Sequence, residues 1–193
     1  MNAPVAAARK VWTEAELQAL PEDGLTHELV DGEIVMSPKN DFFHGDICSE
    51  LAASLRAFAM SNRLGAVLDC STGFRMNNSN VRAPDVSFIS RARLKAQGFR
   101  RSTRRFFPGA PDLAVEVLSL NNTQKEIDGR LKDFFSSGTV LAWIIDPKDK
   151  RVEIFRSLTE RRMVGGGGFL DGEDLLPGFR YPVAELFKDW DWE

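Results

Sequence analysis

The pattern of apolar and polar positions predicts a mixed β-sheet with helices on its faces. Residues 13–16 have the form of a capping box, so a short helix is expected over residues 13–20. Apolar and polar residues then alternate on both sides of an Asp-Gly dipeptide, which predicts a β-hairpin with strands at residues 25–30 and 33–37. This hairpin is expected to extend the core on its N-terminal side.

The rest of the chain mixes long helices with short strands. Apolar residues recur every three to four positions from residue 41 to about residue 62, which predicts an amphipathic helix of about five turns. A second helix is expected between a cap at Asn122–Thr123 and Gly138, and a short one near residues 183–187. Apolar runs predict strands at residues 66–69, 73–76, 81–89, 112–118, 140–145 and 152–155. This order of elements indicates an α/β (α+β) fold.

Composition is that of an ordinary globular protein, with 43% hydrophobic and 27% charged residues. We expect one domain over residues 12–193 behind a flexible tail at residues 1–11, without a signal peptide or a membrane helix. Cys48 and Cys70 lack C-x-x-C spacing, which favours free thiols in a reducing cytoplasm. A net charge of −3 does not indicate a nucleic-acid binder, so such binding would need a local basic patch.

Two acidic residues lie in segments that are otherwise apolar. Asp85 follows a proline in R-A-P-D-V-S-F-I, and Glu116 lies in A-P-D-L-A-V-E-V-L-S. A carboxylate among buried residues is costly unless a cation compensates its charge, and hard divalent cations prefer carboxylate oxygens. Our working hypothesis for the pair is a divalent-metal site of the kind that hydrolyses phosphodiesters. The alternative is a pair of structural salt bridges to nearby arginines.

Glu28 and His44 are further candidates for the same pocket. Glu28 is an acid between apolar residues in the first hairpin strand, and His44 lies in the first turn of the long helix. A histidine there can serve as a general base, a phosphate donor or a metal ligand. For His44 the alternative is a capping or surface role.

Several motifs occur in a fixed order along the chain. They are H-E-L-V-D-G-E-I-V-M-S-P, a histidine early in the next helix, R-A-P-D-V-S-F-I, P-G-A-P-D-L-A-V-E-V-L-S, an N-N-T-x-x-E helix ending in F-F-S-S-G, and L-A-W-I-I-D-P. In these motifs, residues 12–187 resemble the Uma-two family of restriction endonucleases, within the PD-(D/E)XK nuclease superfamily. The resemblance implies a restriction-endonuclease-like core, Mg²⁺ or Mn²⁺ as cofactor, and hydrolysis of nucleic acid, most simply DNA.

The resemblance also implies roles for individual residues. Asp85 and Glu116 would be metal ligands, together with the carbonyl oxygen of Val117. Glu28 and His44 would lie in the same pocket.

One position departs from the superfamily motif. The motif has a lysine two residues after the glutamate, where this chain has Leu118. Related sequences often carry that lysine on the following helix, one turn before an aromatic residue, and the residue there is Arg130. Arginine keeps a positive charge beside the attacking water but cannot transfer a proton. Lys125, near the start of the same helix, is the other candidate to supply this charge.

A basic connection, residues 90–107, joins the two acidic segments. It contains seven Lys or Arg residues within residues 91–105 and no acid, with phenylalanines interleaved. Its predicted nucleic-acid contacts are Arg100, Arg101, Arg104 and Arg105. We expect it to begin and end close to the proposed site. The alternative is a solvated loop whose charge offsets acids elsewhere.

Three functional hypotheses follow from these residues. The leading one is a divalent-metal-dependent endonuclease that acts on DNA as a homodimer in the cytoplasm. The second is a nucleic-acid-binding module of nuclease descent that does not cleave, which Leu118 and Arg130 favour. The third is a structural partner subunit with no nucleic-acid role, which only the acidic net charge supports.

Overall fold

A computed structural model describes residues 10–21, 23–37, 40–119 and 121–192. Within them the α-helices are α1 (Glu14–Gln18), α2 (Phe42–Ser61), α3 (Arg91–Ala96) and α4 (Gln124–Ser136). The strands are β1 (Thr26–Val30), β2 (Glu33–Ser37), β3 (Gly65–Asp69), β4 (Phe74–Arg75), β5 (Val81–Arg82), β6 (Val86–Ser90), β7 (Phe107–Pro108), β8 (Leu113–Val117), β9 (Leu141–Asp146), β10 (Arg151–Phe155), β11 (Arg161–Val164), β12 (Phe169–Gly172) and β13 (Leu176–Pro182). A 3₁₀-helix covers Val183–Phe187.

Local sequence signals start the helices and close the hairpin. Thr13 begins α1 and Thr123 begins α4, each in a capping box that satisfies backbone N–H groups at the helix start. Asp41 caps α2 by accepting a hydrogen bond from a backbone N–H of the first turn. The β1–β2 turn has positive φ at Asp31 (50°) and Gly32 (77°), as a tight hairpin turn requires.

Two mixed sheets and one short antiparallel pair make up the fold. The central sheet has the order β11-β10-β9-β8-β6-β3, in which β8 and β9 are parallel and α4 is the crossover between them. A second sheet, β2-β1-β5-β4-β7, contains the N-terminal hairpin, and β12 pairs with β13. The predicted mixed sheet with flanking helices is therefore confirmed.

The central sheet is covered on both faces, and this fixes the direction of the β8 side chains. The buried stripe of α2, which includes Leu51 and Leu55, packs with Trp143 on one face. Leu131 of α4 packs with strand residues on the other face. Because β8 side chains alternate, Val115 and Val117 point towards α2 and Glu116 towards α4.

The structure corrects two details of the predicted elements. The strand expected at residues 81–89 is two strands, β5 and β6, which belong to different sheets and are separated by residues 83–85. Pro84 has no N–H for a strand ladder, so the chain leaves one sheet and enters the other at this point. The basic connection also contains α3, which Ser90 caps.

Two further expectations concern the ends of the chain and membranes. Residues 1–9 of the predicted tail lie outside the described residues, and a single domain over residues 12–193 stays a prediction. None of the described helices combines the length and the apolar character needed to cross a bilayer.

Candidate active site

The break between β5 and β6 brings Asp85 to the end of β8. Val86 lies opposite Val115 in the antiparallel β6–β8 pair, so Asp85 lies beside the last residues of β8. The backbone N–H of Val117 donates to Asp85 Oδ2 at 2.8 Å. Asp85, Glu116 and Val117 all line one cleft of about 450 Å³. The two predicted acids therefore face the same space.

Glu116 lies in an environment that opposes its ionisation. Only 12% of its side chain is exposed. Burial raises the pKa of Glu116, Arg130 opposes this rise, and the charges of Asp85 and Glu28 add to it, so that the pKa reaches about 8. In the absence of a cation, this environment favours the protonated form of Glu116.

Arg130 connects Glu116 to the N-terminal hairpin. Its Nη1 donates to Glu28 Oε1 at 3.0 Å and its Nη2 to Glu28 Oε2 at 2.9 Å, a bidentate pair. The same Nη1 donates to Glu116 Oε1 at 3.1 Å. Burial lowers the pKa of Arg130, but the charges of Glu116, Glu28 and Asp85 outweigh this effect and raise it. The guanidinium is therefore a fixed positive charge beside Glu116.

Glu28 uses both of its oxygens within the protein. Besides the pair with Arg130, Oε1 accepts from the Ala83 N–H at 2.7 Å, and Oε2 accepts from Arg82 Nη1 at 3.3 Å. The Glu28 side chain is also almost completely buried. Its visible role is to orient Arg130, while Asp85 and Glu116 face the cleft.

A buried network of side-chain hydrogen bonds lies behind Glu28 and was not predicted from the sequence. Arg82 Nε donates to Asp133 Oδ2 at 2.7 Å, and the side-chain amides of Asn78 and Asn80 donate to the same carboxylate. Asp133 lies on the buried side of α4, next to Phe134 in the chain. The signal in the sequence that could have predicted this network is the presence of an acid, Asp133, on an otherwise apolar helix face.

His44 lies on the buried face of α2 and points at Asp85. Its backbone N–H donates to Asp41 Oδ1 at 2.9 Å, and its ring Nε2 lies 3.3 Å from Asp85 Oδ2. Ring Nδ1 lies 3.5 Å from the Sγ of Cys48, one turn further along the helix. Burial lowers the pKa of His44, but the hydrogen bond and charge of Asp85 outweigh this effect, so the pKa is raised. The histidine thus belongs to the cleft.

The donor set fits a hard divalent cation. Asp85 Oδ1 and Glu116 Oε2 accept no hydrogen bond from any described residue, and neither is among the buried unpaired polar atoms. One oxygen of each carboxylate is therefore open to solvent and can act as a ligand.

The charge balance around the cleft agrees with this fit. Glu28, Glu116 and Asp133 are joined through Arg82 and Arg130, so one negative charge is left without an arginine when all three acids are ionised. Asp85, beside them, pairs with His44 and with no arginine of the described residues. A divalent cation would supply positive charge here and would favour the ionised form of Glu116.

The two other candidate positions for the motif lysine do not bring a cation into the cleft. Lys125 is exposed on the first turn of α4 and is not among the residues that line the cleft. Leu118 packs with Ile127 and Phe135 against the inner face of α4. Of the described residues that line the cleft, Arg130 is the only Lys or Arg.

The expected position of the basic connection is wrong. β6 and β8 are antiparallel, with Phe88 opposite Leu113, so the connection leaves and re-enters at the end of the sheet away from Asp85 and Glu116. The four residues or so between the two ends correspond to roughly 13 Å of strand. Arg100 is exposed there, as are Arg101, Arg104 and Arg105, and none of the four lines the cleft.

Comparisons with known proteins show the family and the fold of the chain. A family model described as "Putative restriction endonuclease" matches residues 14–184. A crystal structure from Anabaena variabilis, described as "a putative nuclease belonging to DUF820", is similar with a TM-score of 0.78 and 21% identity over 91% of this chain and 97% of that one. This similarity confirms the predicted restriction-endonuclease-like fold. No curated protein matches the chain.

Proposed function

The chain belongs to the Uma2 family of restriction endonucleases, and from this membership we propose that it is a divalent-metal-dependent endonuclease that cleaves DNA. One observation carries the proposal. Asp85 and Glu116 face one cleft, each with an oxygen that accepts no hydrogen bond from the described residues, in a region with excess negative charge.

Mg²⁺ or Mn²⁺ is the proposed cofactor, held by Asp85, Glu116 and the Val117 carbonyl oxygen. When bound, such a cation supplies stabilisation of negative phosphate oxygens and a lowered pKa for water. Arg130, fixed by Glu28, adds a positive charge that favours a phosphate whose negative charge grows during the reaction. His44 can hold a proton at Nε2, the nitrogen that faces Asp85.

We also propose that phosphates farther along the substrate contact the basic connection. Arg105 stacks on the Phe99 ring, with its guanidinium carbon 4.7 Å from the ring centroid. Arg100, Arg101 and Arg104 are exposed and have no acidic partner among the described residues. Exposed guanidinium groups of this kind suit a sequence-independent contact with a nucleic-acid backbone. Lys125, also exposed, is proposed only as an auxiliary charge at the edge of the site.

The direct test is cleavage of supercoiled plasmid with Mg²⁺ or Mn²⁺. Asp85→Asn and Glu116→Gln preserve side-chain size and remove one charge each, and both should abolish nicking. Glu153→Gln is the matched control, because Glu153 is a strand acid of the same sheet, two strands from Glu116, that pairs with Arg161 and does not line the cleft. Nicking that survives both cleft substitutions would overturn the proposal.

The second candidate function is a nucleic-acid-binding protein that does not cleave. Two observations favour it: Arg130 is committed to Glu28 and Glu116, and Leu118 packs against α4 where the motif has a lysine. Salt-sensitive DNA binding by wild type without nicking under either metal would support this function. Gain of nicking in Arg130→Lys would then identify the missing group as the lysine.

A homodimer in the cytoplasm completes the proposal. Enzymes of this superfamily that cut two strands commonly pair their sites. Phe42, Trp190 and Trp192 are exposed and form one aromatic patch, with ring centroids 5.4 Å and 4.7 Å apart, which is one surface suited to pairing.

A further inference from the structure

A group of ligand atoms that includes sulfur lies on the α2 side of Asp85. His44, Cys48 and Asp85 each offer one donor atom, and the three atoms all lie within 4.8 Å of one another. Cys48 follows His44 by four residues on α2, so both side chains point to the same side of the helix. This group shares only Asp85 with the ligand set proposed for Mg²⁺ or Mn²⁺.

The distances within the group suit a tetrahedral ion. Cys48 Sγ lies 3.5 Å from His44 Nδ1, and His44 Nε2 lies 3.3 Å from Asp85 Oδ2. Zinc bonds of about 2.0 Å to nitrogen or oxygen and about 2.3 Å to sulfur, at tetrahedral angles, separate neighbouring ligand atoms by roughly 3.3–3.8 Å. The two short distances involve different ring nitrogens, so an ion would use one nitrogen of His44 and would draw the three donor atoms together from within 4.8 Å.

Cys70 is a candidate for the fourth donor. It directly follows β3, is exposed, and lines the same cleft as His44 and Asp85. Its sulfur does not lie within 4.8 Å of all three of the other donor atoms, so it would join them only if its exposed side chain turned towards the ion. The complete set would be one imidazole, two thiolates and one carboxylate.

We propose that His44, Cys48, Cys70 and Asp85 form a binding site for a thiophilic divalent cation such as Zn²⁺. Thiolate and imidazole ligands favour Zn²⁺ and Cd²⁺ over Mg²⁺, whose preferred ligands are oxygens. Because Asp85 belongs to both ligand sets, a thiophilic ion removes one ligand from the hard-cation site. The binding of a thiophilic ion does not depend on the proposed nuclease function. Only the expected inhibition of DNA cleavage, through loss of Asp85 from the hard-cation site, rests on that function.

Cd²⁺ titration of protein treated with a chelator tests the site without measuring cleavage. Cadmium bound to thiolate absorbs in the ultraviolet, and the chain contains two cysteines, so the band reports only on Cys48 and Cys70. Wild type should show a saturable band at one ion per chain, which excess Zn²⁺ removes. Cys70→Ser should reduce the band by about half, and Cys48→Ser should reduce it by at least that much.

Two histidine variants provide a matched comparison. His44→Gln should weaken Cd²⁺ binding at least tenfold, whereas His27→Gln should leave it unchanged, because His27 pairs with Asp23 on the hairpin. Circular dichroism confirms that each variant is folded, and if Cys48→Ser is not, Cys70→Ser and His44→Gln still decide the question. A band that does not saturate, or that is the same in wild type, Cys70→Ser and His44→Gln, overturns the site.

Shared use of Asp85 gives a separate readout. Asp85→Asn should weaken Cd²⁺ binding, and millimolar Mn²⁺ should raise the apparent Kd for Cd²⁺ in wild type. If the chain fails to cleave DNA but shows the Cd²⁺ band, the nuclease proposal fails and the thiophilic site stands. If it cleaves DNA but lacks the band, the reverse holds.

Discussion

Glu116 should make the stability of the metal-free protein fall as pH rises. Its carboxyl group is mostly enclosed between β8 and α4, and it shares the cleft with the charges of Asp85 and Glu28. Arg130 compensates only in part, because its guanidinium also neutralises Glu28. Glu116→Gln keeps the shape of the side chain and a carbonyl oxygen for Arg130, but it cannot ionise.

The size of the effect follows from the pKa of Glu116 in the two states. The pKa is 4.5 in the unfolded chain and about 8 in the folded protein. Folding is therefore unaffected below pH 4.5, and stability is lost as pH rises towards 8 because the folded state resists ionisation. At about 1.36 kcal/mol per pH unit, the full cost is roughly 5 kcal/mol, of which about 4 kcal/mol develops between pH 5 and pH 9.

Urea unfolding in EDTA at pH values from 5 to 9 measures this cost. The free energy of unfolding of Glu116→Gln minus that of wild type should rise by about 4 kcal/mol across this range, since contributions from other groups cancel in the difference. The same difference for Glu153→Gln should change by less than about 0.5 kcal/mol. A Glu116→Gln difference that changes by less than about 1 kcal/mol would refute the reasoning.

Three further predictions concern Arg130, a close strand contact and the basic connection. Arg130→Met leaves Glu116 and Glu28 short of a cation and should lower the free energy of unfolding at pH 8 by about 3–5 kcal/mol, measured in urea. Gly65→Ala should lower it by about 1–3 kcal/mol, because the added methyl group meets the carbonyl of the opposite strand. The double substitution Arg100→Ala and Arg101→Ala should reduce the slope of log K against log salt for DNA binding by up to about 2, measured by fluorescence anisotropy.

Each of these predictions has a control or a contradicting result. Arg100→Met, on the exposed connection, should change the free energy of unfolding by no more than about 0.5 kcal/mol. If Arg130→Met and Arg100→Met lower it equally, Arg130 has no special role in stability. Gly129→Ala, in open space on α4, should instead stabilise by about 0.5–1 kcal/mol. An unchanged salt slope in the double variant would exclude the basic connection from the DNA interface.

The elements that could be predicted from the sequence are those with short-range signals. The long helix expected over residues 41–62 is α2, Phe42–Ser61, because an N-cap aspartate and a regular apolar spacing lie within the segment itself. The hairpin followed from an Asp-Gly turn in the same way. The apolar run at residues 140–145 is β9, and Trp143 within it is fully buried.

What could not be predicted depends on contacts between distant segments. Residues 81–89 contain no local signal that β5 and β6 belong to different sheets, because the partners of a strand lie elsewhere in the chain. The pairing of Arg82 with Asp133 joins residues 51 positions apart, and neither side chain has a local motif. The direction of the basic connection required knowing that β6 and β8 are antiparallel, which composition does not reveal.

The bidentate contact between Glu28 and Arg130 spans 102 positions of the chain. During synthesis on a ribosome, the hairpin emerges long before α4. The Glu28 carboxylate therefore cannot pair with the Arg130 guanidinium until residue 130 leaves the exit tunnel. An incomplete chain, or one cut anywhere between the two residues and separated, lacks the fixed charge beside Glu116. Assembly of the cleft therefore cannot be completed before residue 130 has been synthesised, and products truncated before it should not cleave nucleic acid.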